Sequence, residues 1–128
     1  MNYYKQTDKS NTYEYPAHHE GEGVFQICPL FDKELSLPIK MQIWTLNPGD
    51  SEGDHTHGDD DTALEEFYYF LEGTGTMYIN KEEIPIKPGD TFLVPPNIDH
   101  GFKNTGDSIL KVFIIWGLPG ESLQNSKK

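Results

Sequence analysis

The stretch GDSEGDHTHGDDDTALEEFYYFLEG, residues 49–73, changes character halfway along its length. Its first half is rich in Gly, Asp, Ser and His, and its second half is an aromatic and aliphatic run that predicts a β-strand. His55 and His57 project from the same face if their segment is extended, because side chains alternate along a strand. A His-x-His pair followed by a carboxylate is typical of a metal site. We therefore expect the rest of the chain to form a container for these side chains.

Short strands joined by turns are predicted for most of the chain. Pro-Gly pairs such as Pro48-Gly49 and Pro88-Gly89 mark turns, and no segment shows a convincing amphipathic helical pattern. Many closely spaced strands without helices are typical of an all-β sandwich or barrel. The predicted strands cover residues 24–31, 40–46, 66–72, 76–80, 82–86, 91–94, 100–104 and 109–116.

Two details of strand pairing are also predicted. Residues 76–80 follow a glycine-rich break and are the expected hairpin partner of residues 66–72. Asn80-Lys81 predicts a tight turn into residues 82–86. Pro85 cannot donate a hydrogen bond to a neighbouring strand, so that run is expected to be an edge or bulged strand.

Composition limits the class of protein. The chain has 128 residues, the size of a single domain, and a formal net charge of −11. Such a charge argues against binding to nucleic acids or anionic membranes, which require a basic surface. Cys28 is the only cysteine, so no intramolecular disulfide and no thiolate metal site are expected. Without an apolar leader or a transmembrane segment, a cytoplasmic protein is expected.

The domain organisation is expected to be simple. Residues 1–23 are polar and are predicted to be an N-terminal arm that packs on the barrel or on a partner. Residues 24–118 are the predicted barrel, and residues 119–128 are expected to be a flexible tail.

Further metal-ligand candidates lie beyond the His-x-His pair. Glu66 opens the next predicted strand, and its carboxylate would lie across from the pair if the two strands are neighbours. His100 begins a later strand, and three imidazoles with one carboxylate suit a divalent first-row transition metal. A lone histidine in a polar loop is usually only solvated. Accordingly, we expect His18 and His19, which would point to opposite faces of a strand, to be surface residues or at most to line an entrance.

The spacing around these residues resembles that of the cupin family, over most of the chain between residues 40 and 116. The first cupin motif is Gly, five residues, His-x-His, then Glu, six residues and Gly, and it is matched here by Gly49, His55, His57, Glu66 and Gly73. The second motif is matched in register by Gly89, Pro95, His100 and Asn104.

The chain departs from the family pattern at two places. The insertion at residues 58–65, between His57 and Glu66, is longer than the usual spacing and mostly acidic. It is interpreted as a lid, a second cation site or, most simply, a solvated loop. The spacing to Gly73 selects Glu66 as the ligand rather than Glu65, which would point to the opposite face. Asn97 stands where the motif has Gly, and Asn is among the residues best tolerated at positive φ.

The resemblance implies a jelly-roll barrel, also called a double-stranded β-helix, with one divalent metal ion inside. The implied metal ligands are His55, His57, Glu66 and His100, and the metal would be Fe, Mn, Ni, Zn or Cu. A homodimer and a small-molecule substrate or ligand are also implied. An Fe- or Mn-dependent dioxygenase is the first hypothesis. A lyase or isomerase acting on a sugar or organic acid, and a non-catalytic binding module, are the alternatives.

Other inward-facing positions are predicted from strand parity. Tyr68 and Phe70 share the parity of Glu66, and Phe102 shares that of His100. Tyr68 is the candidate catalytic residue, either by a hydrogen bond to the substrate or as an acid or base, although an aromatic that only fills the barrel is an equal alternative. For residues 40–46 the pattern leaves both faces open. The predicted inner face lacks Lys and Arg, so protein cations alone are not expected to hold a strongly anionic substrate.

Overall fold

The computed structural model describes residues 2–7, 10–57 and 63–120. These ranges contain strands and no helix, which confirms the predicted all-β class. They accordingly include no helix with the length and apolarity needed to span a membrane. The strands are β1 (Tyr13–Pro16), β2 (Val24–Pro29), β3 (Ile39–Leu46), β4 (Ser51–His55), β5 (Glu65–Glu72), β6 (Gly75–Ile79), β7 (Glu82–Ile86), β8 (Thr91–Val94), β9 (His100–Lys103) and β10 (Leu110–Gly117).

The strands form two antiparallel sheets that share one core, as in a jelly-roll barrel. The six-stranded sheet has the order β1-β2-β3-β10-β5-β8, and the four-stranded sheet has the order β4-β9-β6-β7. One cluster of buried side chains joins them, with contributions from both sheets. Its members are Phe25, Ile27, Trp44, Leu46, Tyr68, Phe70, Met77, Ile86, Val94, Phe102, Leu110, Val112 and Ile114.

Alternation along the strands determines which side chains enter this core. In β3, Trp44 and Leu46 are buried, which answers the question that the sequence pattern left open. Tyr68, Phe70 and Phe102 are also buried, as predicted from strand parity.

The predicted pairing of residues 76–80 with residues 66–72 is wrong. β5 pairs with β10 and β8, whereas β6 pairs with β7 and β9. The glycine-rich break between β5 and β6 therefore carries the chain from one sheet to the other. Local spacing shows that a turn exists but not which sheet the next strand joins.

The second hairpin has the predicted geometry. β6 and β7 are antiparallel, and both Asn80 and Lys81 have positive φ, as a tight turn between two strands requires. Pro85 lies in β7, which is the edge strand of its sheet, so the predicted edge position is confirmed.

The N-terminal segment contributes a strand to the six-stranded sheet. β1 lies in the predicted arm and pairs with β2, so β1 rather than β2 forms the edge of the six-stranded sheet. The division into arm, barrel and tail stays a prediction. Residues 58–62 of the acidic insertion and residues 121–128 of the tail lie outside the described residues.

Candidate metal centre

Both sheets contribute to the candidate metal centre. His55 ends β4 and lies opposite His100, the first residue of the neighbouring β9. His57 follows two residues beyond His55, outside the strand. Glu66 is the second residue of β5 in the other sheet. The strand of Glu66 does not pair with that of the histidines, and its carboxylate approaches from the facing sheet.

The four side chains converge on one point. The Nε2 atoms of His100, His57 and His55 lie 2.8, 3.0 and 3.7 Å from Oε1 of Glu66. Two ligand atoms that each lie about 2.1 Å from an ion, at right angles around it, are about 3.0 Å apart. The observed separations therefore fit a set of donors that surround one ion.

Backbone carbonyls select the tautomer of two of these histidines. Nδ1 of His55 lies 3.1 Å from the Gly53 carbonyl oxygen, and Nδ1 of His100 lies 2.8 Å from that of Ile98. A carbonyl oxygen only accepts hydrogen bonds, so each Nδ1 must be the donor. In the neutral ring the lone pair is then on Nε2, the atom that faces Glu66. This is the orientation that metal-binding histidines adopt.

Glu66 is held in its anionic form. Burial raises its pKa, but the contacts with His100 and His55, which become hydrogen bonds when a ring also carries a proton on Nε2, and the neighbouring imidazoles outweigh burial and hold the pKa well below the ordinary value. For His57 burial is the largest influence, and the pKa is lowered. At neutral pH these shifts favour an ionised carboxylate and a neutral His57, the forms that bind a metal cation.

His55 behaves differently. Burial lowers its pKa, but the hydrogen bond to Glu66 and the charge of Glu52 raise it, with a net rise. Without an ion, His55 therefore tends to hold a proton that a bound metal would displace.

Tyr68 contacts the other oxygen of the same carboxylate. Its hydroxyl donates to Oε2 of Glu66 at 3.0 Å, inside the core. Burial raises the pKa of Tyr68 well above its ordinary value, and the charges of Glu52 and Glu66 raise it further. The phenol therefore keeps its proton and orients Glu66. Its catalytic role stays a prediction.

The second motif positions ligands through the backbone. Asn97 has a φ of 70°, which confirms the predicted tolerance of Asn at this turn. Its N–H donates to the His57 carbonyl oxygen at 2.7 Å, so the turn fixes the segment beyond β4. Asn104 donates through its side chain to the Leu46 and Ser108 carbonyl oxygens and is buried. Asn104 therefore ties the end of β3 to the loop that precedes β10.

A loop before β2 brings two more histidines to the site. Its His18 carbonyl accepts from the Gly53 N–H, and Glu22 and Ser51 exchange backbone hydrogen bonds. An added Cβ at Gly53 would collide with the His19 carbonyl, so this approach requires glycine. The His19 ring stacks on His55 with centroids 3.8 Å apart and planes 10° apart.

The histidines of this loop and Glu52 are the site residues that sequence reasoning undervalued. His19 is exposed and stacked on His55, a ligand candidate. It is therefore a surface residue, as expected, but one that lies directly beside the site. Nδ1 of His18 lies 3.7 Å from Oε2 of the buried Glu52. A register shift between Glu52 and His55 brings both residues to the inner face despite their odd spacing. The glycines on either side were the available signal for the close approach.

His19, Glu52 and His55 also have donor atoms within 4.8 Å of one another. The lone pairs of an imidazole lie in the plane of its ring. Because the His19 and His55 rings are stacked face to face, an ion cannot lie in both planes. This second cluster is therefore not suited to a shared metal.

The architecture and the His/Glu cluster define a small metal-compatible cupin. The Cupin_2 family, described as the cupin domain, matches residues 42–116, and the chain belongs to this family.

Three similar proteins are informative. An oxalate-binding protein of Thermotoga maritima is 31% identical over 98 residues, covering 74% of this chain and 77% of its own. The crystal structure of a predicted oxalate decarboxylase from Thermotoga maritima has a TM-score of 0.79 and 26% identity, with 89% and 97% of the two chains covered. An uncharacterised protein of Methanocaldococcus jannaschii is 44% identical over 48 residues, and the match spans only 38% of either chain.

Proposed function

We propose that this cupin binds one divalent transition metal ion through His55, His57, Glu66 and His100, and a small molecule beside it. The observation that carries the proposal is the convergence of three imidazole Nε2 atoms on one carboxylate oxygen. The Nδ1 protons of His55 and His100 are donated to backbone carbonyls, so the Nε2 lone pairs of the neutral rings face the negative charge of Glu66. A cation compensates this repulsion, and so does a proton, as the raised pKa of His55 indicates.

Among reactions we place Fe- or Mn-dependent dioxygenase chemistry first. Three nitrogen ligands and one oxygen ligand suit these ions and leave coordination positions open. When bound, such an ion supplies redox chemistry and Lewis acidity. The protein contributes the remainder: Glu66 stays ionised, Tyr68 orients it, and the aromatic core beneath excludes water.

A second candidate is favoured by the likeness to the oxalate-binding protein. In this case the protein binds a small organic acid, either without turnover or as a lyase or isomerase. The likeness supports an acid as ligand, and the ion would be the positive charge that the described inner face lacks.

The decisive experiment is to identify the bound metal. Protein purified without added ions is analysed for metal, together with His57→Ala, and oxygen consumption is followed with candidate small acids. Iron or manganese at one ion per chain with substrate-dependent oxygen uptake supports the dioxygenase. Zinc or nickel without uptake supports the second candidate. If wild type and His57→Ala bind the same amount of metal, the proposed ligand set is wrong.

Three further properties are part of this proposal. Tyr68 contributes to the reaction through the hydrogen bond that its hydroxyl donates to Glu66. The chain forms a homodimer. The protein is cytoplasmic. Light scattering of the purified protein tests the homodimer, and a mass of one chain contradicts it.

A further inference from the structure

Glu52 is a buried carboxylate that the metal centre does not use. It lies on β4 and is 5% exposed. Oε2 lies 3.7 Å from Nδ1 of His18, while Oε1 is buried without a hydrogen-bond partner among the described residues. Burying an unpaired acceptor destabilises a fold, so such a group in a binding site points to a function.

Glu52 shares the inner space of the metal centre. Its carboxylate lies within 4.8 Å of a ring nitrogen of His55, a proposed ligand. Its negative charge also contributes to the raised pKa of the Tyr68 phenol, after burial itself. His18, with a third of its side chain exposed, lies 3.7 Å from Glu52, and the exposed His19 has a donor atom within 4.8 Å of it. Glu52 is therefore close enough to the metal centre for one short molecule to span both.

Among the described residues, no lysine is paired with this carboxylate. The sequence contains no arginine, and none of the described lysines is buried. The basic group within ion-pair distance of Glu52 is His18, whose Nδ1 lies 3.7 Å from Oε2. The inner surface thus presents an acceptor on one side and the proposed ion on the other.

We propose that Glu52 receives the hydrogen-bond-donating group, an ammonium or a hydroxyl, of a short acid whose carboxylate binds at the metal centre. The substrate class is therefore an amino or hydroxy acid rather than a dicarboxylate, whose second carboxylate would meet the like charge of Glu52. This inference rests on the proposed function, because the acid is oriented by the ion.

Three acids with the same carbon skeleton test the inference: β-alanine, 3-hydroxypropionate and malonate. Their affinities are measured by calorimetry with Mn²⁺-loaded wild type and Glu52→Gln. In wild type, β-alanine and 3-hydroxypropionate should bind at least about tenfold more tightly than malonate. Glu52→Gln keeps the shape and removes the charge, so this preference should shrink by about tenfold or more. Glu22→Gln is the matched control, since it removes an exposed charge from the adjacent loop and should leave the preference unchanged.

Each outcome separates this inference from the proposed function. Metal-loaded wild type that binds malonate as tightly as β-alanine, or that binds neither donor-bearing acid, overturns the assignment of Glu52. An unchanged preference in folded Glu52→Gln overturns it as well. If Glu52→Gln does not fold, the wild-type preference still decides. Failure of wild type to hold Mn²⁺ overturns the proposed metal site itself, which metal analysis of the same samples reveals.

Discussion

Replacing Glu66 with Gln is expected to remove most of the metal affinity while the barrel stays folded. Oε1 of Glu66 is the atom on which His55, His57 and His100 converge, at 2.8–3.7 Å. Gln keeps the volume and one acceptor for the Tyr68 hydroxyl but loses the anionic ligand. Structural sites of four ligands bind Zn²⁺ with about 10–16 kcal/mol, or roughly 2.5–4 kcal/mol for each ligand. The expected loss is therefore roughly 100- to 1,000-fold in affinity.

Glu65→Gln is the control for this experiment. Glu65 precedes Glu66 on β5, and its side chain is exposed on the other face of the sheet. The substitution removes the same charge as Glu66→Gln does. Its effect on affinity should stay below about threefold, as for a surface charge. Metal titration against a competing chelator measures both variants, with circular dichroism to establish folding. Equal losses in the two variants, or an affinity of Glu66→Gln within about threefold of wild type, would refute the assignment.

Three further outcomes are expected. His57→Ala should abolish stoichiometric metal binding yet retain the fold, because the side chain is 21% exposed and its loss leaves no closed cavity; metal analysis and circular dichroism test this. Tyr68→Phe should lower metal affinity by about 10- to 100-fold if the hydroxyl orients Glu66, and unchanged affinity in a chelator titration would reduce Tyr68 to barrel filling. Phe70→Ala should lower the free energy of unfolding, measured with denaturant, by about 3–5 kcal/mol. Tyr69→Ala, on the half-exposed outer face, should lower it far less. Similar losses of stability in the two variants would contradict the assigned core.

Local spacing was sufficient for the parts of the site that lie within short segments. The distances along the chain around His55, Glu66 and His100 predicted which residues the structure brings together, because each lies at a strand end beside a turn that its motif specifies. Strand parity likewise placed Tyr68 and Phe70 inside the barrel. Period-two alternation is a property of the backbone and needs no knowledge of the partner strand.

Features that depend on contacts between distant parts of the chain could not be predicted from local spacing or strand parity. The hairpin assumed between β5 and β6 failed because a turn signal does not reveal which sheet the following strand enters. Glu52 was missed because the irregularity in β4 breaks the alternation that assigns faces. His19 approaches His55 only because a loop docks onto β4 where two glycines permit it, and the glycines alone do not reveal which segment docks there.

The arrangement of the site across two sheets has a consequence for the order of assembly. His55 and His100 are brought together by strand pairing, and Glu66 by the packing of one sheet on the other. The hydrophobic core, rather than the ion, supplies the free energy that gathers these distant side chains. This chain should thus complete its folding before it selects a metal, unlike small domains that are unfolded until zinc binds. Which ion it acquires then depends on the supply that surrounds the finished barrel as much as on the ligands.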